Sequence, residues 1–185
     1  MGLVIFLVIV VALVGWYFST YNTLIRKRSY VDEAFSQVDV QLQRRNDLIP
    51  NLVNTVKGYA SHESDTLEAV IKARQQLISL PKDATPEQVN AMSNQLSGSL
   101  SRLMAVSEAY PDLKANENFN QLQGQLVNTE DKIAVSRSLY NSSVTTYNRA
   151  IQTVPTNIVA GMANFEARKL LETPQESRAV PTVQF

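Results

Sequence analysis

The first 18 residues of the chain form a hydrophobic stretch that contains no charged residue. A helix of about 18 residues is roughly 27 Å long, which is close to the thickness of the hydrocarbon core of a bilayer. A cleaved signal peptide would begin with basic residues and end in a small-residue cleavage site, and this stretch shows neither feature. The pattern therefore predicts an N-terminal transmembrane anchor over residues 1–20.

Aromatic and basic residues follow where the membrane interface is expected. Aromatic side chains concentrate at the depth of the lipid headgroups, and basic residues mark the cytoplasmic end of a span. The predicted interface residues are Trp16, Tyr17, Tyr21, Arg26, Lys27 and Arg28. The basic cluster predicts a very short outer N-terminus and a cytoplasmic position for the rest of the chain. It serves as a topology signal, as a contact for anionic lipid headgroups, or as both.

Beyond the anchor, apolar residues recur at intervals of three and four positions, which is the spacing of a single buried face on an α-helix. The main stripe positions are Val31, Phe35, Val38, Leu42, Ile49, Leu52, Val56, Leu67, Val70, Leu77, Val89, Met92, Leu96, Leu103, Phe119, Leu122, Leu126, Ile133, Tyr140, Val144, Tyr147 and Ile151. Long helices joined by short connections pack antiparallel. The predicted fold is all-α, with an N-terminal transmembrane helix followed by an antiparallel, up-and-down four-helix bundle of long helices.

Prolines and capping residues predict where the helices begin and end. Pro81 and Pro155 each end a stripe, because the residue before a proline avoids helical geometry. Thr85, Pro86 and Gln88 carry the pattern of a capping box with proline in the first helical position. We therefore expect the anchor at 1–20, the bundle domain at 21–155, a short amphipathic helix at 156–171 and a polar tail at 172–185.

The stretch RRNDLIPNLV, residues 44–53, contains a proline in the middle of the first stripe. Pro50 has no N–H and crowds the preceding turn, which costs about 3 kcal/mol inside a helix. Asn46 or Asp47 is a competent N-cap for a new helix that starts at Leu48. The chain therefore either kinks or reverses here. A reversal would give two arms, 21–46 and 48–80, and the pattern leaves both alternatives open.

Arg45 occupies a position on the apolar stripe where a hydrophobic residue is expected. A buried guanidinium needs a carboxylate partner, and Glu117 and Glu130 lie close to the later stripe. An ion pair would fix the helix register beside Pro50. In the alternative, the aliphatic stem of Arg45 packs on the bundle and its charged group extends into solvent.

Composition narrows the range of functions. The chain has 17 basic and 17 acidic residues, which does not favour nucleic acid as a partner, and it has no cysteine. His62 is the only histidine, and a helical HExxH zinc motif would need a second histidine at position 66, where threonine stands. We therefore expect no metal, no cofactor and no catalytic residue.

Several motifs together resemble the LemA family over most of the chain. The most specific of them is the stretch DLIPNLV with its flanking residues. The matching positions are Tyr21, Asn22, Val31 to Phe35, Val40 to Leu42, Arg44, Arg45, Asp47 to Val53, Val56 to Tyr59, His62, Glu63, Asn116, Glu117, Phe119, Leu122, Gln123, Glu130, Arg137, Tyr140, Asn141, Tyr147, Asn148 and Pro155. Two positions depart from the family pattern, which often has tryptophan at the position of Phe35 and an aromatic residue at the position of Asn46.

The resemblance implies a bacterial inner-membrane protein with one N-terminal span and a cytoplasmic helical bundle, and it brings no established catalytic site. A LemA-like branch in magnetic bacteria is linked to shaping the magnetosome membrane. The residues expected to carry structure or interactions are Arg45, Asp47, Pro50, Glu117, Glu130 and Arg137.

Two functional hypotheses follow from the anchor and the bundle. The first is a non-enzymatic scaffold that binds the lipid bilayer, forms homo-oligomers and organises or shapes the membrane. The second is an adaptor that presents a membrane or envelope protein, such as a membrane protease, at the membrane surface. The tail at 172–185 is the segment expected to distinguish them. Its last residues, Val180 to Phe185, alternate between apolar and polar as in a docking peptide, and the alternative is a frayed terminus.

Overall fold

The computed structural model describes residues 1–172, which contain helices and connecting segments and no strand. The helices are α1 (Gly2–Tyr59), α2 (Ser64–Ile78), α3 (Pro86–Ser107), α4 (Pro111–Lys114), α5 (Glu117–Gln152) and α6 (Thr156–Met162). The prediction of an all-α fold with an apolar N-terminal helix is confirmed. The predicted division at residues 20, 155 and 171 stays a prediction.

The chain forms two compact units. Unit 1 consists of Met1–Gln37 and Ser136–Leu170, and therefore contains the first part of α1, the second part of α5 and α6. Its core lies where α6 packs against α1, with Leu24, Val159 and Ala160 fully or almost fully buried. Within this unit α1 and α5 run antiparallel, because Phe35 contacts Tyr140 whereas Leu24 shares its cluster with Ile151.

Unit 2 contains Val38–Val135, with residues 171 and 172. The end of α1, then α2, α3 and the start of α5 surround one hydrophobic core, which includes Ile49, Val70, Leu96 and Phe119. Contacts at the two ends show an up-and-down order. Tyr110 donates to Glu63 near the α1–α2 turn, whereas Arg45 donates to Ser93 in the first half of α3. The unit is an antiparallel four-helix arrangement, as the sequence predicts.

The predicted start of α3 is confirmed in detail. The Thr85 hydroxyl accepts a hydrogen bond from the backbone N–H of Gln88 at 3.3 Å, and the Gln88 side chain accepts from the backbone N–H of Thr85 at 2.9 Å. Pro86 occupies the start of the helix, where its missing N–H costs nothing. A complete capping box therefore defines this helix end.

The chain does not reverse at Pro50, which lies inside α1. The reversal lies at residues 60–63, between α1 and α2, so the alternative with arms 21–46 and 48–80 is wrong. A capping pattern at Asn46 and Asp47 is insufficient to start a new helix while the apolar stripe continues through them. The bundle-forming part of α1 is therefore continuous with the apolar N-terminal helix.

The C-terminal region also differs from the expected helix at 156–171. Helix α6 ends at Met162, and residues 165–172 are not helical. Asn164 adopts a left-handed backbone conformation with φ of 54°, which ends the helix. The predicted tail lies outside the described residues except for Glu172.

Candidate functional site

The N-terminal end of α1 has the properties of a membrane-spanning segment. Its most hydrophobic window is not buried by any other part of residues 1–172, and α1 is the one helix described there that is long and apolar enough to cross a bilayer. Large apolar side chains such as Leu3, Phe6 and Leu13 are more than half exposed. This surface needs an apolar surrounding that the described chain does not provide.

The aromatic residues at the end of this segment contact the C-terminal part of unit 1. Tyr17 stacks on Tyr21, and Tyr21 meets the edge of Phe165 with 5.7 Å between ring centroids. The Arg28 guanidinium lies 5.5 Å from the centre of the same Phe165 ring, which is a cation–π distance. Three of the predicted interface residues thus also hold the fold together.

The other predicted interface residues have different surroundings. Trp16 is exposed, and Arg26 donates a hydrogen bond to the Thr23 hydroxyl one turn earlier on α1 at 3.2 Å. Lys27 is half-buried. A contact of these residues with lipid stays a prediction.

Arg45 is the largest fully buried side chain among the described residues, so its charged group does not reach solvent. Its Nη1 atom lies 2.9 Å from Oε1 of Glu130 and 2.8 Å from the Ser97 hydroxyl. Its Nη2 atom donates to the Ser93 hydroxyl at 3.0 Å. The guanidinium therefore joins α1 to α3 and α5 by directional, charge-assisted hydrogen bonds. We call these four side chains the Arg45 cluster.

Glu130 supplies the carboxylate of this cluster, and Glu117 does not. Glu130 lies in the part of α5 that faces Arg45 and is about one-third exposed, whereas Glu117 is the exposed first residue of α5. Ser97 also donates to Glu130 at 3.3 Å. Arg45 is therefore shielded from water, whereas Glu130 is partly hydrated. This difference determines how much stability is lost when each residue is replaced.

Two further residues singled out in the sequence lie outside the cluster. Asp47 is exposed and accepts a hydrogen bond from Gln43 one turn earlier at 2.8 Å. Arg137 is half-buried on the part of α5 that belongs to unit 1. The interaction roles predicted for Asp47, Glu117 and Arg137 stay predictions.

Pro50 is accommodated by a side chain from another helix. In an uninterrupted helix, the N–H of residue 50 would bond to the carbonyl of Asn46, and proline has no N–H. The Nε atom of Arg74, on α2, donates to that same Asn46 carbonyl at 3.0 Å. The Asn46 carbonyl therefore keeps a hydrogen-bond donor, and α1 continues through the proline.

The comparison with known families gives a match to the LemA family over residues 34–185. This chain belongs to the LemA family. It is 27% identical to Protein LemA of Metamycoplasma hominis, over 84% of this chain and 72% of that protein. It is 28% identical to Magnetosome protein MamQ 2 of Paramagnetospirillum magneticum, over 99% of this chain and 76% of that protein. It is 27% identical to Magnetosome protein MamQ of Magnetospirillum gryphiswaldense, over 79% and 62% of the two chains.

Several residues of the LemA-like pattern hold residues 166–169 against α5. The Tyr147 hydroxyl donates to the Glu166 carbonyl at 2.9 Å, and the Tyr140 hydroxyl donates to the Lys169 carbonyl at 3.3 Å. The Asn148 side chain donates to the Arg168 carbonyl and accepts from its N–H, at 2.7 and 2.9 Å. The Asn148 amide thus bonds both the N–H and the carbonyl of Arg168, as a neighbouring strand would. The backbone of this non-helical segment therefore keeps its hydrogen bonds. No pattern in the sequence predicts this arrangement.

Replacing Tyr147 with phenylalanine tests this attachment. Loss of one hydrogen bond to a backbone carbonyl should cost about 1 kcal/mol. We expect amide hydrogens at 165–169 to exchange faster in Tyr147→Phe, measured by mass spectrometry. Tyr30→Phe is the matched control, because Tyr30 lies on α1 with 63% of its surface exposed. Equal exchange in both variants would contradict the assignment.

The same hydrogen bond predicts a pH dependence. Burial is the main cause that raises the pKa of the Tyr147 hydroxyl above its ordinary value. The folded state therefore holds this proton more tightly than the unfolded chain does. The stabilisation is complete below the unfolded pKa of about 10 and is lost as the pH rises through the folded value. We expect exchange at 165–169 to accelerate above this pH by a smaller factor in Tyr147→Phe than in the natural chain, after correction for the intrinsic pH dependence.

No group of three or more acidic, histidine or cysteine residues with metal-binding geometry occurs in residues 1–172. His62 is exposed in the α1–α2 turn. The adjacent Glu63 accepts a hydrogen bond from Tyr110 at 3.1 Å and so contributes to the end of unit 2.

Proposed function

We propose that this LemA-family chain is a non-enzymatic protein of the bacterial inner membrane, whose copies associate into a scaffold that organises or shapes the bilayer. The N-terminal span anchors each copy, and the bundle lies on the cytoplasmic side. The observation that carries the proposal is α1 itself. Its exposed apolar end continues without a break into the helix on which unit 1 is built.

A continuous helix gives the anchor a mechanical role. A flexible linker would let the following domain move freely, whereas a helix holds unit 1 at a fixed distance from the membrane surface. Many copies held at one depth can meet laterally and impose a common geometry on the bilayer. The names of the MamQ relatives, which are magnetosome proteins, agree with a membrane-organising role.

The described polar groups support a structural role. Arg45 and Glu130 pair between α1 and α5, and Arg74 on α2 donates to the Asn46 carbonyl on α1. Tyr140, Tyr147 and Asn148 bond to the backbone of residues 166–169. These side chains form internal contacts that fix the arrangement of helices. None of these contacts needs a substrate for its explanation.

A membrane-association assay tests the anchor. We expect the full chain to stay with the membrane after carbonate washing. A variant without residues 1–20 should be released, because the deletion removes the apolar segment that lies in the hydrocarbon core of the bilayer. Release of the full chain by carbonate would contradict the anchor. Circular dichroism of the released variant checks that it is helical.

A second assay tests the scaffold. We expect chemical cross-linking of the full chain in vesicles to give oligomers whose size grows with the protein-to-lipid ratio. A chain that stays monomeric at every ratio would contradict the scaffold. Deletion of residues 173–185 separates the two hypotheses. If the deletion abolishes self-association, the result supports the scaffold. If the chain is monomeric and the deletion abolishes its binding to a purified heterologous membrane protein, the result supports the adaptor.

A further inference from the structure

An apolar ridge lies on the surface of unit 1 at the turn between α5 and α6. Val154, Ile158 and Met162 are 74%, 54% and 69% exposed, and they follow one another at intervals of four residues. The opposite side of α6 is buried through Val159 and Ala160. Helix α6 is therefore apolar on both sides. The side with Val159 and Ala160 packs within the described chain, and the side with Ile158 and Met162 is exposed.

The packing of α6 sets its depth relative to the membrane. Its buried side contacts Leu24, with Tyr17 and Tyr21 packed against the same cluster. The interfacial layer of a bilayer is about 5–8 Å thick on each side, or roughly three to five residues of a helix perpendicular to the membrane. The stretch from Tyr17 to Leu24 begins inside the apolar segment and ends before Arg26, the first charged residue. Helix α6 thus packs at the level of the lipid headgroups.

The direction of α5 brings the ridge closer still to the bilayer. Tyr140 on α5 contacts Phe35, and Ile151, eleven residues later, packs in the cluster of Leu24. Helix α5 therefore runs towards the membrane-spanning end of α1, and Val154 lies just beyond its last residue. Exposed Arg149 on the last turn of α5 joins the basic residues of α1 near this level.

We propose that the ridge of Val154, Ile158 and Met162 inserts into the boundary between lipid headgroups and acyl chains, as a second membrane contact beside the span. This inference rests on the anchoring role of α1 in the proposed function. Apolar side chains with basic residues beside them are the composition of interfacial membrane segments. The bilayer is the occupant favoured over a second copy of the chain, because the buried side of α6 packs against Tyr17, Tyr21 and Leu24, where the exposed apolar segment of α1 ends.

The chain has no cysteine, so a single introduced cysteine can carry a fluorescent label without further changes. Ile158→Cys and Met162→Cys place an environment-sensitive label on the ridge of the full chain in vesicles of phosphatidylcholine and phosphatidylglycerol. Leu139→Cys is the matched control, because Leu139 is 45% exposed on α5 and lies about 18 Å of helix before Ile151. Val8→Cys reports on the span itself. Circular dichroism verifies the fold of each variant.

Two quenchers measure the position of each label. We expect iodide in water to quench Ile158→Cys and Met162→Cys about threefold less than Leu139→Cys, because the ridge is expected to lie several ångströms inside the interface. A nitroxide on the acyl chain near the headgroup should quench the two ridge labels and leave the control bright. Val8→Cys should be shielded from iodide and quenched by a nitroxide placed deep in the acyl chains.

Each other result has a defined meaning. Ridge labels as open to iodide as Leu139→Cys, with Val8→Cys inside the lipid, overturn the ridge insertion and leave the anchor intact. A Val8→Cys label open to iodide overturns the anchor, and the insertion with it. Shielding of the ridge that disappears when the protein is diluted at constant lipid shows that a second copy covers it, and this also overturns the insertion.

Discussion

Glu130→Gln is expected to lower the free energy of unfolding by about 3–5 kcal/mol, because it leaves a buried guanidinium without its counter-charge. Arg45 has no exposed surface and keeps only neutral hydrogen-bond acceptors from Ser93, Ser97 and the new amide. The substitution preserves the size of the side chain and one acceptor oxygen. The expected loss therefore measures the buried charge, with little contribution from packing.

Arg45→Met should destabilise the chain less than Glu130→Gln does. Methionine fills most of the space of the arginine stem, and the remaining carboxylate of Glu130 is 35% exposed and reaches water. Ser97 keeps a hydrogen bond to the carbonyl of Ser93 on its own helix at 3.2 Å. The double variant should be close to Arg45→Met alone, because the second change then removes an exposed charge.

Denaturant unfolding of the full chain in detergent, followed by circular dichroism, measures these effects. Glu108→Gln is the matched control, because Glu108 pairs with Lys114 on the surface and both side chains are more than half exposed. A surface pair of this kind contributes about 1 kcal/mol or less. A larger loss for Arg45→Met than for Glu130→Gln would show that the buried charge does not dominate the cluster.

The features that the sequence predicts correctly depend on local or periodic signals. The apolar N-terminal helix needs only a run of uncharged residues, and the start of α3 needs only Thr85, Pro86 and Gln88. The place of Arg45 on the stripe predicts that its stem packs on the core, but it leaves open whether the charged group is buried or extends into solvent. The structure shows it buried. Glu130 lies near the later stripe, so both members of the pair carry a signal in the sequence.

The features that the sequence does not predict depend on partners from distant parts of the chain. The donor for the Asn46 carbonyl is Arg74, which lies 28 residues later and comes near only when α2 has folded back. The non-helical path of residues 166–169 likewise depends on side chains of α5.

Arg74→Met should lower the free energy of unfolding by about 1–3 kcal/mol in the natural chain, which is the cost of an unsatisfied buried carbonyl. Methionine keeps much of the apolar stem of arginine, so the change removes chiefly the hydrogen bond to Asn46, which is itself buried. Arg102→Met, on the exposed side of α3, is the matched control and should change stability by about 0.5 kcal/mol or less.

The proline determines whether that hydrogen bond matters. Pro50→Ala restores an N–H to position 50 and should raise the free energy of unfolding, by up to about 3 kcal/mol if Arg74 compensates for little of the proline's cost. In the Pro50→Ala chain, Arg74→Met should cost about 1 kcal/mol less than in the natural chain, because the Asn46 carbonyl then has a donor within its own helix. Equal costs of Arg74→Met in the two chains would show that Arg74 stabilises α1 for a reason unrelated to Pro50.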